Sequence, residues 1–198
     1  MYPNSLKNLI EAFKMLPGVG EKTAERMAFY IVELDEDSID FFSESIVNAK
    51  STLRKCKICN NLSDNEICNI CSDQSRTKQM LCVVEDYKSL YMLEKSNIYS
   101  GTYFVIDGLI SPLNGINPED IGLEKLLKHI KNNNFSEIII AVKPNIEGET
   151  TSLYIKRILE GMDIKVTRLA SGIPIGADIE YIDTLTLERA INDRKEIE

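Results

Sequence analysis

The sequence predicts a multi-part α/β chain, and three observations carry that reading. Before position 54, apolar residues recur every three or four positions, the period of a helix face. From residue 80, short apolar runs alternate with helical stripes, the pattern of a mostly parallel sheet covered on both faces. Between these parts lie two knuckles, Cys56-Lys57-Ile58-Cys59 and Cys68-Asn69-Ile70-Cys71. The chain therefore divides into residues 1–54, 55–79, 80–169 and 170–198, the last a tail segment.

In the first part, Leu6, Leu9, Ile10 and Phe13 mark one helix face; Ala24, Met27, Ala28 and Ile31 mark a second. Leu16-Pro17-Gly18-Val19-Gly20 separates them. Pro17 stops the first helix, and Gly18 and Gly20 allow backbone angles closed to other residues. Glu21-Lys22-Thr23 then opens the second helix, completing a helix-hairpin-helix pattern. Two glycines leave room for a phosphate to reach backbone N–H groups at a helix N-terminus. Lys22 and Arg26, four apart and opposite the apolar stripe, would flank it. Such contacts hold nucleic acid without reading its sequence. The alternative is an ordinary turn with a solvated charged face, since Glu21 and Glu25 dilute the positive charge. A third helix is marked by Ile39, Phe42, Ile46, Ala49 and Leu53, and Asp35-Glu36-Asp37-Ser38 suits its N-terminus.

The cysteines come next. Two Cys-x-x-Cys pairs can place four thiolates tetrahedrally, about 2.3 Å from one Zn²⁺ ion. Polar Asn60, Asn61, Ser63, Asp64 and Asn65 form the loop between them. Two disulfides or a redox pair are the alternatives; the pairing of the two spacings favours zinc. Four sulfur ligands leave no open position, so the expected ion is structural, one per chain. Cys82 lies in the apolar run Met80–Val84 and reads as a buried free thiol.

In the α/β part, runs at Met80–Val84, Thr102–Ile106, Ile138–Val142 and Ile164–Leu169 are candidate strands. Helical stripes fall at Leu123, Leu126, Leu127 and Ile130, and at Ile155, Ile158, Leu159 and Met162. Ligand sites in such sheets lie beyond the C-terminal strand ends. Those ends carry Glu85, Asp107-Gly108, Lys143-Pro144-Asn145 and Glu147-Gly148-Glu149. Converging carboxylates there would hold Mg²⁺; the alternative is acidic residues that cap helices and face water. Glycines and Pro118 give the Ser111–Glu119 loop a shaped path over the same end. His129, beside Lys128, reads as a surface histidine with no nucleophilic partner. No phosphate-loop motif is present. The glycine-punctuated tail from Ala170 to Asp183 is a candidate subunit contact or plain core, and a closing helix follows with Arg189, Arg194 and Lys195 off its apolar side.

A net charge of −8 argues against a protein that coats nucleic acid through bulk positive charge. No run of 18 apolar residues predicts a membrane span, and Met1-Tyr2-Pro3-Asn4-Ser5 lacks signal-peptide character. Metal-type cysteine usage points to the cytosol.

In this order, Leu16-Pro17-Gly18-Val19-Gly20-Glu21-Lys22-Thr23-Ala24, the four cysteines, Cys82-Val83-Val84-Glu85, Ser111-Pro112-Leu113-Asn114-Gly115-Ile116, Glu147-Gly148-Glu149 and Gly172-Ile173-Pro174-Ile175-Gly176 resemble the RecR family of bacterial recombination proteins. The likeness runs over nearly the whole chain. It implies a helix-hairpin-helix, a four-cysteine zinc finger, a Toprim domain and a C-terminal segment with a Walker B region. It implies a homotetrameric ring that encircles DNA, in the cytoplasm at the nucleoid. It implies work with RecO and RecF in loading RecA onto gapped single-stranded DNA. Lys22 and Arg26, with Gly18 and Gly20, would be the DNA contacts, and Cys56, Cys59, Cys68 and Cys71 the zinc ligands. Glu85 and the Glu147–Glu149 neighbourhood would lie on the Toprim face that meets RecO, with Asp107 in the same acidic group.

Phe104, Asp107 and Lys143 depart from the family's pattern. The Asp-x-Asp pair of catalytic Toprim enzymes is also missing. That argues against Mg²⁺ chemistry and for a non-catalytic clamp. The alternative is a metal-dependent Toprim enzyme that nicks DNA or makes primers. Four copies would point eight positive groups into one channel, which reconciles DNA binding with the acidic whole.

Overall fold

The computed structural model describes residues 2–194 and 196; Met1 and Lys195, named above, lie outside the described residues. The chain forms two compact units, Met1–Leu53 and Arg54–Glu198.

The first unit is three helices: α1 (Asn4–Lys14), α2 (Glu21–Glu33) and α3 (Glu36–Thr52). The two sequence stripes meet as expected. Ile10, Ala24 and Ala28 are buried, with Leu6, Leu9, Phe13 and Val19 packed around them. Alanines on α2 let the two helices approach closely. Asp35 caps α3, accepting from the Ser38 N–H (2.8 Å) and hydroxyl (2.9 Å). The stripe on α3 forms a helix but not a core. None of its residues is buried, and Phe41, Phe42, Ile46 and Val47 stay exposed.

The second unit begins with the cysteine stretch. β1 (Arg54–Lys55) pairs antiparallel with β2 (Leu62–Ser63), and a single helical turn, α4 (Asn69–Ser72), starts at Cys68. Then come β3 (Thr77–Val84), α5 (Tyr87–Ser96), β4 (Gly101–Val105), α6 (Leu123–Lys131), β5 (Glu137–Ala141), α7 (Ile146–Ile158), β6 (Lys165–Arg168) and α8 (Thr184–Asn192). The four long strands form a parallel sheet in the order β4-β3-β5-β6. In register, Val83 lies beside Phe104 on one side and Ile140 on the other.

The period-2 geometry of strands sorts the core onto two faces. Leu81, Val83, Phe104, Ile106, Ile138 and Ile140 meet Leu123, Leu126 and Ile130 of α6 and Ile155 of α7. Cys82, Val84, Tyr103 and Val105 meet Leu90 of α5 and Ile70 of α4. The cysteine stretch is thus joined to the sheet. The Val105 N–H donates to the Cys59 carbonyl (2.9 Å), and Asn60 Nδ2 donates to the Val105 carbonyl (2.9 Å).

After β4 the chain turns through Asp107 at φ 59° and Gly108 at φ 141°. A Ser111–Ile116 bridge closes the following loop around a 3₁₀ turn at Pro112–Asn114. The tail is mostly exposed, Ile175, Ile179, Tyr181 and Leu185 included. Its helix α8 is tied down where Arg189 donates to the Pro144 carbonyl (2.6 Å).

Candidate metal centre and nucleic-acid interface

The four predicted cysteines converge. Their sulfurs all lie within 4.8 Å of one another, against about 3.8 Å between ligands in a tetrahedron with 2.3 Å bonds. Cys59 and Cys68 sulfurs are 3.5 Å apart, and the Cys68 N–H donates to Cys56 Sγ at 3.3 Å. All five cysteines are free thiols, so the disulfide alternative is not realised. Hydrogen bonds from Cys59 and Cys71 hold Cys68 well below the usual thiol range, while the Cys68 contact pushes Cys59 up. Sulfurs this close share protons until a cation replaces them. A buried all-sulfur set of this size fits zinc, and these residues would hold it as a closed structural ion. Asn60, in the left-handed region at φ 65°, turns the first knuckle so that its backbone N–H donates to the Cys56 carbonyl (3.0 Å). Cys82 is buried in the sheet, and burial pushes its thiol up to about 12.

The strand-end carboxylates do not share a point. Glu85, Asp107 and Glu147 line one cavity of about 520 Å³, yet each is held by a different protein partner. Glu85 is buried; it pairs with the Lys143 ammonium and accepts from the Lys143 N–H (3.2 Å). Asp107 accepts from Lys55 (2.6 Å) and Asn60 (2.6 Å), both from the cysteine stretch. Glu147 accepts from the Ser111 hydroxyl (2.6 Å) and from Asn145 (3.3 Å). Glu149 lies apart, held by one Arg168 nitrogen at 2.8 Å to each oxygen. Among the described residues, the cysteines form the only group of three or more His, Cys, Asp or Glu side chains close enough to share an ion. Sequence reading found these carboxylates but not their cations. Lys55, Lys143 and Arg168 lie 52, 58 and 19 residues from their partners, and no local pattern announces such pairs.

The hairpin presents an open helix start. Gly18 takes φ 82°, and Gly20 is the residue before α2. A side chain added at either would meet nothing within 4 Å. No side chain caps α2, so its first N–H groups are left available to an anion. Lys14 binds Glu21 (2.6 Å) and Glu11 (2.9 Å), which draws the Glu21 charge away from the helix start. Lys22 and Arg26 are exposed and have no ion-pair partner among the described residues.

His129 lies half-buried at the surface of α6. Its ring stacks on Phe104 (centroids 5.6 Å apart) and leans on Phe135 (5.4 Å). Burial lowers its pKa. Phe104 supplies the stacking contact from β4.

The fold and these sites define a class: a helix-hairpin-helix unit, then a four-cysteine knuckle packed on an α/β domain of Toprim type. Family models match in the same order. They are the RecR helix-hairpin-helix (residues 6–50), the RecR four-cysteine zinc finger domain (53–73), the Toprim domain (79–170) and the RecR C-terminal model (172–195). Two relatives named Recombination protein RecR, from Staphylococcus aureus strains Newman and USA300 / TCH1516, are each 44% identical over 196 residues. The match covers 99% of this chain and 99% of each relative. The chain belongs to the RecR family. No helix among the described residues is long and apolar enough to cross a membrane.

Proposed function

We propose that this protein is a DNA-binding clamp in recombinational repair, without chemistry of its own. One observation carries the reading: an uncapped α2 N-terminus beside Lys22 and Arg26, which have no ion-pair partner among the described residues, in a chain 44% identical to Recombination protein RecR. Backbone N–H groups and two cations suit phosphate and carry no base readout. Exposed apolar residues on α3 and in the tail support assembly of several copies, a homotetrameric ring in our reading. In that ring the hairpins line the DNA channel, and the Glu85–Glu147 face meets RecO. RecO and RecF are the partners with which it helps RecA load on gapped single-stranded DNA.

Carboxylates occupied by Lys143, Lys55 and Ser111 support a clamp over a nuclease or primase. DNA binding across a salt series tests the proposal. Lys22→Ala with Arg26→Ala should weaken binding and reduce the salt slope by about 1 for each phosphate left without its cation. Unchanged affinity and slope would sink direct hairpin contact. Mg²⁺-dependent cleavage or priming by the wild type, abolished in Glu85→Gln, would favour the enzyme reading instead.

A further inference from the structure

We propose a second phosphate-binding site for DNA, formed by α6 and the first cysteine knuckle and distinct from the hairpin. It extends the clamp reading and rests on it. The site is a cavity of about 620 Å³ lined by Lys55, Lys57, Lys125, Lys128, His129 and Asn132, among others. No carboxylate lines it. The chain carries 31 acidic residues against 23 basic, so four lysines around an acid-free cavity run against its bulk composition.

The helix geometry explains half of the cluster. Lys125, Lys128, His129 and Asn132 stand at i, i+3, i+4 and i+7, one face of α6 and its C-terminal cap. Leu123, Leu126 and Ile130 occupy the opposite face and bind the sheet. The knuckle supplies the other half, Lys55 and Lys57 on either side of Cys56.

The four lysines are not equivalent. Lys55 pairs with Asp107 (2.6 Å) and Lys57 with Glu66 (2.7 Å). A tetrathiolate zinc centre would carry two net negative charges, and these two lysines flank it. Lys125 and Lys128 have no acidic partner among the described residues and no thiolate beside them in sequence. They share the lining with Lys55 and Lys57, and their charge is free to meet an entering anion.

The chemistry of the lining favours a phosphate. Ammonium groups act as point charges on phosphate oxygens, whereas planar carboxylates are matched by arginine forks. No arginine lines the cavity. Its volume falls within the roughly 300–1,000 Å³ of small-ligand sites, room for a backbone phosphate.

The test is a salt titration of labelled single-stranded and duplex oligonucleotides. It compares wild type, Lys125→Gln with Lys128→Gln, Lys125→Arg with Lys128→Arg, and the hairpin double variant. The Gln pair should lower the slope by about 1 for each phosphate it no longer neutralises, the Arg pair should keep it, and the hairpin variant's decrease should add to that of the Gln pair. Zinc content and urea midpoint check that each variant folds; if the Gln pair does not, the single Lys125→Gln and Lys128→Gln variants carry the comparison. A Gln pair with wild-type affinity and slope, beside a hairpin variant that loses both, overturns the second site and leaves the clamp reading intact. Displacement of a poly-glutamate peptide from the cavity with the DNA slope unchanged overturns it in favour of an acidic partner. A wild type that binds no DNA overturns the clamp reading and this inference with it.

Discussion

Lys55 and Asp107 are 52 residues apart in sequence and 2.6 Å apart in space. One opens the cysteine stretch and the other follows β4, so their pairing fastens the metal knuckle to the end of the sheet. Asp107 was expected among strand-end acids that face a metal or a partner. Instead its carboxylate turns to Lys55 and Asn60.

The two bonds to Asp107 should differ in weight. Lys55 is half exposed, and such ion pairs contribute about 0–1 kcal/mol. Asn60 is buried, bridges Asp107 and the Val105 carbonyl, and holds a left-handed backbone. Asn60→Ala should therefore cost about 1–3 kcal/mol in urea unfolding, and Lys55→Ala clearly less. Equal costs would show that the knuckle is fastened elsewhere.

Gly148 should tolerate no side chain. An added Cβ would collide with the Lys143 carbonyl, because the chain passes from β5 to α7 within a few residues. Gly148→Ala should cost about 1–3 kcal/mol. It should also disturb the Lys143–Glu85 pair, since the same carbonyl belongs to Lys143. A thermal melt indistinguishable from wild type would contradict this.

His129 should make stability depend on mildly acidic pH. Its pKa is lowered by burial from 6.5, so the unfolded chain binds its proton first as pH falls. The stability from the neutral ring is present above pH 6.5 and is lost as pH drops through the lowered folded value. Urea midpoints measured on both sides of this range should fall more for wild type than for His129→Leu. Parallel curves would mean that the ring escapes its aromatic contacts when charged.

Metal removal should act on the α/β unit. We expect about one zinc per chain, and a lower melting temperature after strong chelation. Acidification should release the ion, because protons compete for the thiolates. An apo protein with an unchanged melt would exclude a structural ion.

Much of the fold was legible because periodicity survives in short windows. The α1 and α2 stripes, the four strands and the Cys-x-x-Cys spacing are all local patterns, and Ile10, Ala24, Val83 and Ile140 are buried accordingly. The pattern on α3 predicted its helix but said nothing about cover; Ile46 remains exposed. Side-chain pairing was illegible for a different reason. Glu85 could be placed at a strand end, but its partner Lys143 is brought there by strands that neighbour only in the folded sheet. The aromatic contacts of His129 were illegible because Phe104 and Phe135 come from outside its helix.

The Cys59–Val105 hydrogen bond has a consequence for solubility. β4 is one of the two edge strands of its sheet, with a flank that could recruit another chain. The knuckle covers that flank at Val105, taking its N–H with the Cys59 carbonyl and its carbonyl with Asn60. An ion held by the four cysteines would thus guard against strand-to-strand aggregation as well as stabilise the fold. Under zinc starvation, this protein should fail first by clumping through an uncovered β4.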